Sequence, residues 1–102
     1  MTALRQRARA LENQFARQQE MAFKAEARRN AMLGRWAAGA MGLADADAYA
    51  RQMTIAAVNE PHRLLDLLRR DFATAGVTID EREITSRMDS MLTEATEQLY
   101  RA

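Results

Sequence analysis

Cysteine is absent from the 102-residue chain, proline occurs once and glycine four times. Without thiols there is no disulfide, no thiol nucleophile and no thiolate metal site, and nothing points to an oxidising compartment. One proline and four glycines build few turns, so the elements should be long and the connections few. Aromatic residues number six. Alanine and methionine supply much of the remaining apolar surface, which suits close helix packing better than a thick sheet core. No apolar run approaches the roughly 18 residues of a membrane span. No apolar stretch follows the arginines of the start, Met-Thr-Ala-Leu-Arg-Gln-Arg-Ala-Arg, so it is not a signal peptide. One cytoplasmic domain is the expectation.

What is present is unevenly distributed. Residues 1–35 hold eight basic and three acidic residues, a net +5, and residues 36–102 hold seven and eleven, a net −4. Such a split suits an N-terminal third that meets an acidic surface or a polyanion, or one that presents a solvated basic helix face.

From Leu4 to Leu33 the chain has neither glycine nor proline and is rich in helix formers. Leu4, Ala8, Leu11 and Phe15 form a thin apolar stripe at helical spacing. From Ala22 it thickens through Phe23, Leu33, Trp36, Ala37, Ala40 and Met41, the pattern of a helix packed into a core. Residues 1–19 therefore form an arm beyond the body, with little apolar surface to offset the entropy of ordering, and residues 20–102 form the body.

Gly39 and Gly42 end the first helix. Asp45 or Asp47 caps a second, which carries Tyr49, Met53, Ala56 and Ala57 on one side and ends near Asn59. Pro61 suits the first turn of a third helix, with Asn59 as its cap. Leu64, Leu65, Leu68 and Phe72 follow, and Gly76 is the stop. Asp80 and Glu83 form a capping-box variant, with Ile79 and Ile84 at the spacing of a hydrophobic staple. Ile84, Met88, Met91, Leu92, Ala95 and Leu99 continue the core stripe. Val77-Thr78-Ile79 is too short to seed a sheet. The predicted fold is an all-α four-helix bundle with a long first helix.

Enzyme chemistry finds no footing. His62, the one histidine, has no marked base or orienting partner. Ser86 and Ser90 lack a nucleophile-elbow context. Gly34, Gly39 and Gly42 are not spaced as a phosphate loop. Asp80, Glu81 and Glu83 suit a helix N-terminus better than a metal. Met53, Met88 and Met91 read as gap fillers on core stripes. Lys24, Arg28, Arg29 and Arg35 could track phosphates, but Glu20 and Glu26 interrupt the run and no groove-reading motif follows, so nucleic acid is not an expected partner. Glu20 and Lys24 form an ordinary i,i+4 pair.

The string Phe23-Lys24-Ala25-Glu26-Ala27-Arg28-Arg29-Asn30 is followed by Leu33-Gly34, Trp36-Ala37-Ala38 and Gly42, then by Ala46-Asp47-Ala48-Tyr49-Ala50. This stretch resembles the zeta-type inhibitor subunits of the alphaproteobacterial F-type ATP synthase. The likeness is strongest from about Phe15 to Ala50. The start departs from the family pattern: it is more basic, Leu11 stands where a phenylalanine is expected, and Arg35 where an apolar residue is expected.

The resemblance implies a four-helix bundle and a mobile N-terminal arm. The arm enters a catalytic interface of the ATPase head, among the alpha, beta and gamma subunits and beside the rotor, and blocks hydrolysis without any catalysis of its own. On that basis Leu4, Leu11 and Phe15 are apolar anchors, and Arg5, Arg7, Arg9 and Arg17 pair with acids on the enzyme. Lys24, Arg28 and Arg29 form a basic ledge at the root or serve solubility, while Phe23, Leu33 and Trp36 hold the long helix to the bundle. No cofactor, metal or direct membrane insertion is expected. The alternative is a nucleotide-binding, energy-sensing bundle with weak ATP or ADP contacts at Arg28, Arg29 and Arg35.

Overall fold

The computed structural model describes residues 2–101. Its four α-helices are α1 (Thr2–Met41), α2 (Ala46–Asn59), α3 (Leu64–Thr74) and α4 (Glu81–Arg101), with a 3-10 turn at Pro61–Arg63 ahead of α3. There is no strand among the described residues. The all-α bundle is therefore the observed fold, in an elongated form of 65 × 26 × 25 Å. Its length is that of α1, whose 40 residues rise about 1.5 Å each.

The connections are short because each end carries its own stop signal. Gly42 adopts φ +72°, its N–H bonds the Gly39 carbonyl at 3.2 Å, and the Leu43 N–H bonds that of Ala38 at 2.9 Å. These two bonds satisfy carbonyls that a helix end leaves open. Gly39 lies inside the helix and supplies one of those carbonyls, so Gly42 alone turns the chain. Gly76, at φ +73°, closes α3 in the same way through Phe72 and Ala73. Asp45 rather than Asp47 caps α2, accepting from the Ala48 N–H at 3.0 Å. Asp80 caps α4 by accepting from the Arg82 N–H at 2.9 Å. Glu83 does not close the reciprocal half of a capping box; its carboxylate holds Arg87 at 3.2 Å. Asn59 is not the cap of the third helix. It is the last residue of α2, and Glu60 occupies the cap position ahead of Pro61, its side chain holding Arg63 at 2.9 Å instead of capping a backbone N–H.

The core is a single cluster: Leu33 and Ala37 of α1, Met53 and Ala57 of α2, Leu64, Leu68 and Phe72 of α3, and Ile84 of α4. Each fully buried Leu, Ile or Phe contributes about 1.5–3 kcal/mol. Trp36 ties three helices together. Its ring packs 5.8 Å from that of Phe72, tilted by 56°, and the Arg87 guanidinium lies 4.6 Å above it. Arg69 of α3 pairs with Asp66 at 2.7 Å and reaches Glu81 of α4. Tyr49 of α2 donates to Asp71 Oδ2 of α3 at 2.7 Å. Burial first, then that bond, raises the phenol above its ordinary value of about 10, so the tyrosine stays neutral while the bond is made.

Helices α1 and α2 touch most closely at Gly34, where an added Cβ would stand 2.8 Å from the Ala50 Cα. The obstacle is backbone and cannot swing aside. Gly34→Ala is therefore expected to destabilise by roughly 1–3 kcal/mol, against the helix-propensity gain of up to about 1 kcal/mol that the same change brings elsewhere. Thermal unfolding checks it: a lowered midpoint is expected, and an unchanged or raised one would show that the two helices do not meet there.

Candidate functional site

Every residue from Thr2 to Glu20 is exposed. Leu4 and Leu11 are each 66% exposed and Phe15 is 64% exposed, although all are large and apolar. At about 100° per residue, Leu4, Ala8, Leu11 and Phe15 fall within a sector of about 60° on α1. Leu33, fully buried in the bundle, lies in the same sector seven turns or so further along. The stripe that faces the core inside the bundle thus continues outside it with nothing to face.

The basic residues do not share that stripe. Arg5 and Arg7 flank it on opposite sides, by the same helical geometry, and Arg9 lies further round beyond Arg5. Arg17, Lys24, Arg28 and Arg35 line up on the back of the helix. Lys24 holds Glu20 at 3.0 Å, as the i,i+4 spacing predicts. Arg28 donates to Gln98 of α4 at 3.3 Å, which joins the root of the arm to the end of α4. Arg35 pairs with Asp47 of α2 at 3.1 Å. A cation therefore works on an exposed helix–helix seam at the position where an apolar residue was expected. Arg29 points elsewhere, its Nε donating to Asn30 Oδ1 at 2.7 Å. The structure thus gives Arg28, Arg29 and Arg35 three different neighbours and does not bring them to one cavity.

Two depressions flank the root of the arm. One lies between α1 and α4, about 220 Å³, with Met21, Ala22, Leu92 and Tyr100 on its walls. The other lies between α1, α2 and the start of α3, about 130 Å³, with Phe23, Val58, Pro61 and Leu64 on its walls and Asn30 and Arg29 beside them. Here the structure corrects the sequence reading of Phe23. The ring is 59% exposed and does not hold α1 to the bundle, whereas Leu33 and Trp36 do. Phe23 sits about 80° round the helix from Leu33, where the turn at Pro61 leaves a gap instead of a covering side chain. Asn30 was also not foreseen as part of the interior: it is 6% exposed, and its only sequence signal is its place beside Arg29.

No group of three or more metal-ligating side chains occurs among the described residues, and no helix among them is long and apolar enough to cross a membrane. What the arrangement offers is surface: an apolar helical stripe, flanking guanidinium groups and two shallow depressions behind it. No match is found among curated proteins. The family model of the ATPase inhibitor subunit zeta matches residues 1–98. That span runs from the arm into the last turn of α4, so the chain belongs to the ATPase inhibitor subunit zeta family, and its general role is that of a regulatory inhibitor subunit of an ATPase.

Proposed function

We propose that the protein inhibits ATP hydrolysis by the F-type ATP synthase by inserting residues 1–19 as a helix at a catalytic subunit interface beside the rotor. Residues 20–102 stay outside as the supporting bundle; Met1 and Ala102 lie outside the described residues. The observation that carries this reading is the exposed stripe of Leu4, Leu11 and Phe15 on a helix projecting from the packed body. Exposed apolar residues aligned on one helix face are the signature of a helix that docks in a groove.

The action is steric. Held only by propagation from the packed part of α1, the free arm frays from its tip. Inside a closing cleft the stripe is covered, the helix is completed, and Arg5 and Arg7 beside the stripe, with Arg9 and Arg17 further round the helix, meet carboxylates of the alpha, beta and gamma subunits. Lys24 and Arg28 lie at the cleft's mouth. Rotation in the hydrolytic direction tightens the grip, and rotation in the synthetic direction loosens it. The protein makes and breaks no covalent bond. It works at the cytoplasmic side of the inner membrane, on the head of the enzyme.

The test is ATP hydrolysis by ATP synthase of the same organism, with the full chain and with a chain lacking residues 1–19. No residue from Thr2 to Glu20 is buried, so the shortened chain keeps its core. Inhibition by the full chain alone is expected. Equal inhibition by both would overturn the arm as the working part.

A further inference from the structure

The depression at Phe23 has features that a bare gap between helices lacks. Asn30 beside it is 6% exposed. Its Oδ1 is taken by Arg29 Nε at 2.7 Å, and its Nδ2 donates to no protein acceptor among the described residues. No buried side-chain nitrogen or oxygen among them is sealed off without a partner, so this amide stays open to the depression that Asn30 lines. The two terminal nitrogens of Arg29 are likewise without a protein acceptor among the described residues. The depression therefore combines apolar walls with hydrogen-bond donors that no protein group among the described residues engages, and a carbonyl placed there would accept from them. Glu26 at the same rim offsets the charge of Arg29, which favours a neutral carbonyl over a second carboxylate. At about 130 Å³ the space is well below the roughly 300–1,000 Å³ of small-molecule sites. One aliphatic side chain is the scale it suits.

Its position tells which partner. Side chains four apart form a ridge along a helix, and Leu11, Phe15, Gln19 and Phe23 are one such row. It leaves the arm's apolar stripe and runs directly to the rim of the depression. Whatever covers Leu11 and Phe15 next meets Phe23 and Val58, which is 54% exposed.

Resting on the inhibitor reading above, we propose that this depression is a second docking point for the same ATPase. It receives one aliphatic side chain of the enzyme's outer surface, with the adjacent backbone carbonyl accepting from Asn30 Nδ2 and Arg29. The arm and this point together form a two-site grip, and the second site sets the affinity of the bundle without entering the cleft.

Full-length Phe23→Ser and Val58→Glu variants test it in the hydrolysis assay. Both positions are exposed, so folding is expected to persist, checked by circular dichroism and melting. The half-maximal inhibitory concentration should rise about tenfold or more for each, a change of about 1.4 kcal/mol. Phe23→Leu should restore most of the loss. Unchanged inhibition by both variants, with inhibition lost in a full-length chain carrying Leu11→Ala and Phe15→Ala, would overturn the second docking point and leave the arm reading standing. If neither set weakens inhibition, both readings fall. A wild-type dimer in sedimentation that Val58→Glu turns into a monomer would make the depression a self-interface and would also overturn the proposal.

Discussion

Replacing Leu11 and Phe15 together by alanine is expected to raise the half-maximal inhibitory concentration against the ATPase by about 10²–10³-fold and to leave the melting midpoint of the free protein in place. The two halves of this result have separate causes. In the free chain both side chains stand in water, 66% and 64% exposed, so truncation opens no cavity. Alanine is also the best helix former, so α1 loses nothing in propensity. In the proposed complex each side chain would be desolvated. Burial of a Leu or Phe contributes about 1.5–3 kcal/mol, and anchors at the centre of an interface commonly exceed about 2 kcal/mol on truncation. Loss of about 3–4 kcal/mol corresponds to the stated range. Titration of hydrolysis with the variant, beside a melting curve, reads both quantities. Full potency in the double variant would show that the stripe is not what the enzyme grips. In the same proposed complex the arginines would act differently: exposed and screened by salt, they would govern encounter more than residence.

Phe72→Ala should produce the reverse pattern, a large loss of stability from a residue far from the arm. Its side chain is 2% exposed and lies at the junction of three helices. It packs against Trp36 of α1 and shares the core with Leu33 and Ile84. Removing a buried phenyl ring costs about 3–5 kcal/mol, part of it lost transfer energy and part the cavity left behind. A domain of this size has only about 5–15 kcal/mol in all, and each kcal/mol moves the midpoint by about 4–8 °C. A drop of more than about 12 °C is therefore expected. A drop under about 4 °C would mean that α3 is not packed as described. Trp36 also supports the Arg87 guanidinium above its ring, so α4 loses an attachment when the indole loses its neighbour.

Much of the architecture was legible because local chemistry and global fold agree at the helix ends. Gly42 and Gly76 take the left-handed conformation that glycine accepts at least cost, and Asp45 and Asp80 bond the first free N–H groups. Such signals involve residues a few positions apart, so a sequence displays them. The core stripes of α3 and α4 were visible for the same reason. Phe23 was misplaced because periodicity gives a direction around the helix and not what stands in that direction. Only the path of the chain through Glu60 and Pro61 reveals the gap. Asn30, Gly34 and the Arg35–Asp47 and Arg87–Trp36 contacts were not visible either. Each depends on a second helix brought close by the fold, as when the Ala50 backbone closes on Gly34. The helical spacing of the arm's apolar residues was legible; the depressions at its root, which need α2 and α4 brought against α1, were not.

One feature of α1 sets a scale for any cleft it enters. The helix has no break from Thr2 to Met41, while the body that carries it is 26 × 25 Å across, more than twice the width of about 10–12 Å of a single helix. A slot that admits the arm therefore stops the body, and the collar so formed makes α1 a depth gauge. Reach is then encoded in residue count, about 1.5 Å for each residue between collar and tip. Register is encoded there too, because each inserted residue also turns the apolar stripe by about 100°. Length along this segment is thus constrained even where the side chains themselves touch nothing, and only changes close to a whole number of turns, such as about seven or eleven residues, preserve the direction of the grip while altering its depth.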